Sequence, residues 1–407
     1  MKLLDSTLGM QKTSTASLWF PVRNPAGAAV LLCCALLWLA GCNVLRTYDA
    51  VQMSPADWYM FGGNVERMSA TDHEVRPPLK EVWEYDTNGG FAKYSAAVVD
   101  SLVVVGSLDG ELHVVRIGSG KRVGTVDLGS AIAGTPVVWE NTIYVPLTRS
   151  GNNLVAYDLL RGGVSWRVEI GDIETSPLLV ENRMYVTSMQ GELISVHRVD
   201  GMIEWRFHIP AAFKSIRSSP AADDRAIFFG ADDGVLYAVR ASSGTLLWKF
   251  QTHGSVVASP SVHGGKVFVG SSDKTFYCVD ADSGRLVWKK DLGSAMYNAA
   301  AVSSDRLFLT TTDGRVICLD ALSGNTFWTF RAEGVISSSP LLSGSVLYVG
   351  SLDKHLYALD ALTGRLVWDQ KFPSRIRTAP VVWNDYVILL LEDRTVVALK
   401  PEGGRPS

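Results

Sequence analysis

The sequence predicts an all-β chain folded as an eight-bladed β-propeller of four-stranded antiparallel blades, closed by its N-terminal strand. Three observations carry this expectation. A glycine is followed four residues later by a tryptophan at Gly162/Trp166, Gly201/Trp205, Gly244/Trp248, Gly284/Trp288, Gly324/Trp328 and Gly364/Trp368, at spacings of 39, 43, 40, 40 and 40 residues. Within each interval, four short apolar or alternating runs are separated by turn residues, the pattern of a small antiparallel sheet. A unit of about 40 residues cannot bury both of its faces alone, and a circular stack covers them without leaving free ends.

The clearest copy is residues 335–368. An apolar run ends at Ser343-Gly344, an alternating run covers 346–349, a turn spans 351–354, a third run covers 356–359, and Thr363-Gly364 leads into the strand of Trp368. Ser119-Gly120 followed by Gly124 is the same unit with its Trp lost. At the far end, residues 378–399 supply three strands of a unit. The fourth is expected from residues 79–86, which place Trp83 in the tryptophan slot and so set the count at eight. Trp83, Trp166, Trp205, Trp248, Trp288, Trp328 and Trp368 are expected to dock between blades, each donating its N–H to a backbone carbonyl.

Residues 1–41 stand apart from the ring. Lys2, Lys12 and Arg23 precede the apolar run 26–40, and Leu39-Ala40-Gly41 precedes Cys42. The run is short for a membrane span and ends in small residues, as a cleaved signal does. Leu-Ala-Gly-Cys resembles the bacterial lipoprotein signal, which implies cleavage before Cys42 and lipid on that cysteine. Asn43 at the next position implies, by analogy with sorting in Gram-negative bacteria, the outer membrane. The expected organisation is a signal peptide at 1–41, a lipidated tether at 42–55, an extension packed on the ring at 56–78, the propeller at 79–400 and a disordered tail at 401–407. Removing residues 1–41 takes away three basic residues and one Asp, moving the formal charge from −3 to −5. A mildly acidic chain offers no electrostatic case for nucleic acid.

Alignment on the end of each first strand, usually a Pro, gives Ala97, Pro136, Pro177, Pro220, Pro260, Ala300, Pro340 and Pro380. Strand alternation then collects Tyr94, Asp172, Glu174, Arg217, Tyr297, Arg375 and Arg377, with Asn298 nearby, at one mouth of the central channel. These residues make either a wet funnel or a ligand site. Phe91 follows Gly89-Gly90 and Phe213 follows Ile209-Pro210 in the inter-blade loops on the same face; with Arg217 they are candidates for binding a protein partner. Trp139 and Trp383 occupy equivalent hairpin tips, where they either cap the ring or make contacts.

Other repeated residues read as structural. Asp-Gly pairs such as Asp109-Gly110 suit tight hairpins, and Asp158, Asp280, Asp320 and Asp360 are expected to bond turn amides. Cys278 and Cys318 fill a slot held by Ala in the neighbouring copies; they are either small fillers or, in an oxidising compartment, a disulfide.

The stretch from Tyr357-Ala358-Leu359-Asp360 to Leu366-Val367-Trp368 resembles the tryptophan-docking repeat of the pyrroloquinoline-quinone (PQQ) propeller superfamily. That superfamily includes quinoprotein dehydrogenases, sensor domains and the BamB-like lipoproteins of outer-membrane β-barrel assembly. The lipoprotein signal followed by a bare ring is closest in outline to the last. The resemblance implies a periplasm-facing scaffold that docks a protein, the barrel insertase in that family. The quinoproteins imply a calcium ion held by Glu, Asn and Asp and, in many, a disulfide between adjacent cysteines. Here arginines outnumber the mouth's acids and the mature chain lacks adjacent cysteines, so no cofactor, metal site or catalytic residue is assigned. A PQQ-dependent dehydrogenase and a periplasmic ligand or cell-wall sensor remain the alternatives.

Overall fold

A computed structural model describes residues 45–149, 151, 153–210 and 215–403. Cys42 and Phe213 lie outside the described residues, as do the expected signal peptide and the last four residues.

Eight antiparallel sheets follow one another along the chain. Their innermost strands are Ala97–Val99, Val137–Trp139, Leu178–Val180, Ala221–Ala222, Ser261–His263, Ala301–Val302, Leu341–Ser343 and Val381–Trp383, taken here as blades 1 to 8. The third strand of each blade is apolar on both faces and buried along its length, as in Leu356 to Leu359. Each blade is therefore sandwiched by its neighbours, while the outer strands alternate exposed and half-buried residues.

The expected closure by the N-terminal strand requires correction. Every sheet is open, and no ladder closes on itself or runs on into the next blade. The strand Leu79–Asp86 is the outermost strand of blade 8, pairing with Thr395–Pro401 and setting Trp83 opposite Ala398. What joins the blades is side-chain packing and single hydrogen bonds. The blades are also not uniformly four-stranded. Blade 7 has five, because Ala70–Thr71 pairs in parallel with its inner strand Leu341–Ser343.

The tryptophans show how the blades join. Each lies just after a β-bulge in the outer strand, opposite a small residue of the third strand: Trp166 opposite Ala156, Trp248 opposite Ala238, Trp288 opposite Cys278 and Trp328 opposite Cys318. Where the tryptophan is replaced by Gly124, the opposing residue grows to Val114, so volume is kept. Cys278 and Cys318 are buried free thiols filling this slot. The indole N–H reaches a carbonyl of the following blade at 2.5–3.2 Å in six cases, as in Trp248 to Ala281. The repeated glycine belongs to the same joint. Gly284, at φ +69°, presses on Trp248 of the preceding blade, and a Cβ there would lie 2.7 Å from the indole.

Near the channel a second joint recurs. The hydroxyl of Ser176 accepts from the Thr135 amide, Ser219 from Ser176, Ser259 from Ser219 and Ser339 from Ala299, at 2.8–3.1 Å. The Ser-Pro pairs of the inner loops thus stitch one blade to the next.

The chain before the ring does more than pack on it. Residues 57–71 cross the base of the channel and bond to blade after blade. Trp58 exchanges two backbone hydrogen bonds with Val98, and Tyr59, Val65, Glu66, Met68 and Ser69 offer carbonyls to Val138, Ala222, Val262, Val302 and Leu342. Arg67 supplies blade 3 by donating to Pro177 O, and Asp57 supplies blade 8 by accepting from Trp383 Nε1. One segment therefore ties the inner strands of all eight blades. Upstream, within the stretch expected as tether, Leu45 is fully buried and accepts from Tyr157 Oη at 2.6 Å, and the Val51 and Gln52 amides donate to Asn141 and Asp100.

Candidate functional site

Because the inner strands run from the inter-blade loops toward the crossing segment, the channel has two unlike ends. The base is filled by Met60, Phe61 and Arg67, all buried. At the loop end, Arg217, Arg375 and Arg377 are about half exposed.

Most of those charges are already paired. Arg217 makes a forked contact with Asp232, Nη2 to Oδ1 at 2.8 Å and Nε to Oδ2 at 3.0 Å, which raises its pKa further. Arg375 and Arg377 share Glu392 at 3.6 and 3.0 Å. Asp172 accepts the Arg149 amide at 3.0 Å, and Glu174 is exposed. The carboxylates that hold these arginines come from hairpin turns 15 residues downstream of Arg217 and Arg377.

One side of the mouth holds a cavity of about 370 Å³, with Phe91, Leu108, Tyr297, Val335 and Ile336 forming apolar walls and Lys93, Asn298, Ser337 and Arg377 adding polar groups. It unites Phe91, Tyr297, Asn298 and Arg377, which the sequence had divided between partner and ligand roles. Lys93, Leu108, Val335 and Ile336 were not singled out; all lie in the inter-blade loops or a hairpin turn on the face that Phe91 had marked. Asn298 Nδ2 donates to Thr310 Oγ1 at 3.0 Å, and Tyr297 is 42% exposed. Tyr94 lies deeper, edge-on to Phe61 at 5.0 Å beneath the Lys93 ammonium, and its buried hydroxyl has no hydrogen-bond partner among the described residues. Asp172, Glu174 and Arg217 belong to blades 3 and 4 and do not line this cavity.

Trp139 and Trp383 are half-buried at the opposite end. Trp139 meets Tyr59 edge-on at 5.5 Å, and Trp383 donates to Asp57 at 2.9 Å. Both hold the crossing segment.

The mouth does not fit a cation-held quinone. Two of its carboxylates, Asp232 and Glu392, are ion-paired with guanidinium groups, Asp172 is taken by the Arg149 amide, and Asn298 is engaged by a threonine. Among the described residues, no cluster of three or more His, Cys, Asp or Glu side chains is placed to hold a metal.

A family model described as outer membrane protein assembly factor BamB matches residues 77–180, 150–259, 232–341 and 313–407, and so spans the whole ring. The chain belongs to the BamB family. A BamB from Moranella endobia is 25% identical over 190 residues, covering 42% of this chain and 48% of that protein. The chain thus spans about half of that curated relative's length. Among solved structures, BamB from Moraxella catarrhalis superposes with a TM-score of 0.69 at 18% identity, covering 79% of this chain and 99% of that one. A quinohemoprotein alcohol dehydrogenase from Comamonas testosteroni reaches 0.75 at 12% identity, covering 88% and 82%. The BamB fold is thus shared with an enzyme, and likeness of fold alone does not choose between scaffold and catalyst.

Proposed function

We propose that this protein is a lipoprotein scaffold of the outer membrane, acylated at Cys42 and facing the periplasm, that binds a protein partner at its loop face during outer-membrane protein assembly. The observation that carries the reading is the family match over the whole ring, together with a mouth whose three arginines are already paired with carboxylates. Phe91 and the cavity walls offer apolar anchor points, and Arg217 and Arg377 give a polar rim; anchors ringed by polar groups suit a protein interface. The finer reading is that the partner is the β-barrel insertase. Separately from that docking face, outer strands with exposed Leu246, Leu286, Phe327 and Val367 offer edges on which an extended segment of a nascent chain, not the docked partner, can pair.

Co-purification of the full chain from membranes tests this. Phe91→Ala combined with Arg217→Ala is expected to lower recovery of the partner at least tenfold while leaving the unfolding midpoint within a few degrees. Full recovery by that double variant would remove the proposed surface.

A further inference from the structure

The stretch just after the acylated cysteine is bound to the ring, and this restricts how the ring can lie. From Cys42 to Leu45 there are three peptide links, at most about 11 Å of extended chain. Leu45 is fully buried, its carbonyl holding Tyr157 Oη, and the Thr47 amide donates to Leu159 O at 2.8 Å. Both contacts are on the base of blade 2. The fixation continues through Asn141, Asp100 and the Trp58–Val98 bridge, so the base cannot swing away while the rest of the chain stays folded.

We propose that the base of blades 1 and 2, around Arg46, Tyr48 and Arg161, rests on the phospholipid headgroup layer, so that the loop mouth is held facing away from the membrane. The inference depends on acylation at Cys42. Tyr48 is 91% exposed, with the Arg46 guanidinium 5.9 Å over its ring. Arg46 Nε donates to Leu160 O at 2.7 Å, next in sequence to Arg161, whose side chain is 84% exposed and lies 3.5 Å from Asp158. An exposed tyrosine flanked by arginines suits the interface between headgroups and acyl chains. Asp49 and Glu140 are exposed on the same base, so the base is not a basic patch, and the covalent lipid supplies the attachment. Arg46, Tyr48 and Arg161 set its depth and angle. The consequence for function is geometric: the partner face is presented to the periplasm without a long flexible linker.

The test uses the full acylated chain in phosphatidylethanolamine/phosphatidylglycerol vesicles carrying a headgroup nitroxide, with a thiol-reactive fluorophore on Tyr48→Cys or on Tyr297→Cys. Cys278 and Cys318 are buried and their thiols are pushed up to about 12 and about 11 by desolvation, so the label goes to the introduced cysteine. Quenching is expected to be several-fold stronger at position 48 than at 297. A Gly/Ser insertion of about twelve residues between Asn43 and Val44 adds roughly 20 Å of reach and is expected to erase most of that contrast. Equal quenching at the two positions, or a contrast that the insertion leaves unchanged, overturns the inference. Mass spectrometry of the N-terminal peptide separates the two readings: without the acyl mass the lipoprotein assignment fails and this inference with it, whereas the acyl mass with no contrast sinks the orientation alone.

Discussion

Replacing Arg67 by methionine keeps much of the side chain's volume and removes its guanidinium, the polar centre of the segment that ties the blades. Arg67 is 0% exposed and donates to Pro220 O at 2.9 Å, Pro177 O at 2.8 Å, Ser176 O at 3.3 Å and, through Nη1, Phe61 O. Burial pulls its pKa down to about 9, which still leaves it charged at neutral pH. Each buried carbonyl that loses its donor costs about 1–3 kcal/mol, offset in part by no longer desolvating a cation. A net loss of about 3 kcal/mol is expected, concentrated where the segment meets the inner strands. Hydrogen exchange reads this directly, because that loss corresponds to a roughly 150-fold rise in local opening. The amides of Val98, Val138, Ala222, Val262 and Val302 should exchange faster by about that factor, while third-strand amides such as that of Ala358 keep their protection. Arg67→Lys, with one charge but no fork, should fall between the two. Unchanged exchange at those five amides in Arg67→Met would refute the idea that the guanidinium anchors the segment.

Two further changes test the joints and the core. Gly284→Ala forces a Cβ to 2.7 Å from the Trp248 indole at φ +69°, and about 3 kcal/mol of destabilisation is expected in urea unfolding; a loss below about 1 kcal/mol would show the joint to be slack. His113 is 1% exposed beside Tyr85 Oη at 3.1 Å, and burial pulls its pKa down from 6.5 to about 4. Between these values the unfolded chain binds a proton that the folded one refuses, so stability falls as pH drops through that window. At pH 4.5 His113 alone should account for about 2–3 kcal/mol of the loss. His113→Asn should show a correspondingly shallower decline between pH 7 and 4.5, and equal slopes would contradict the assignment.

The ring was legible because tryptophan recurs with a nearly fixed period, and periodicity is a property of sequence alone. Its meaning was only half legible. The glycine four residues before each tryptophan invites a pairing within one blade, yet Gly284 touches Trp248 of the blade before, because both sit at the same height on adjacent sheets. The segment that bonds all eight blades left no such trace. Tyr59, Val65 and Met68 act through their backbone carbonyls, for which side-chain identity carries no code, and Arg67 has carbonyls rather than a carboxylate for partners. At the mouth, alternation found Arg217 and Arg377, while Asp232 and Glu392 went unnoticed although the same spacing separates both pairs. Trp139 and Trp383 at their hairpin tips read as either capping the ring or making contacts; what they meet, Tyr59 and Asp57, lies far from them in sequence and could not be named from it.

The loop mouth is the face proposed to meet a protein. Photo-cross-linking in intact cells, with the reactive residue placed at Phe91 or Tyr297 and, as a control, at the outer-strand residue Val287, tests this most directly. Adducts with one outer-membrane assembly protein from positions 91 and 297, and none with it from 287, are the predicted result. The same adduct from 287, with positions 91 and 297 silent, would contradict it.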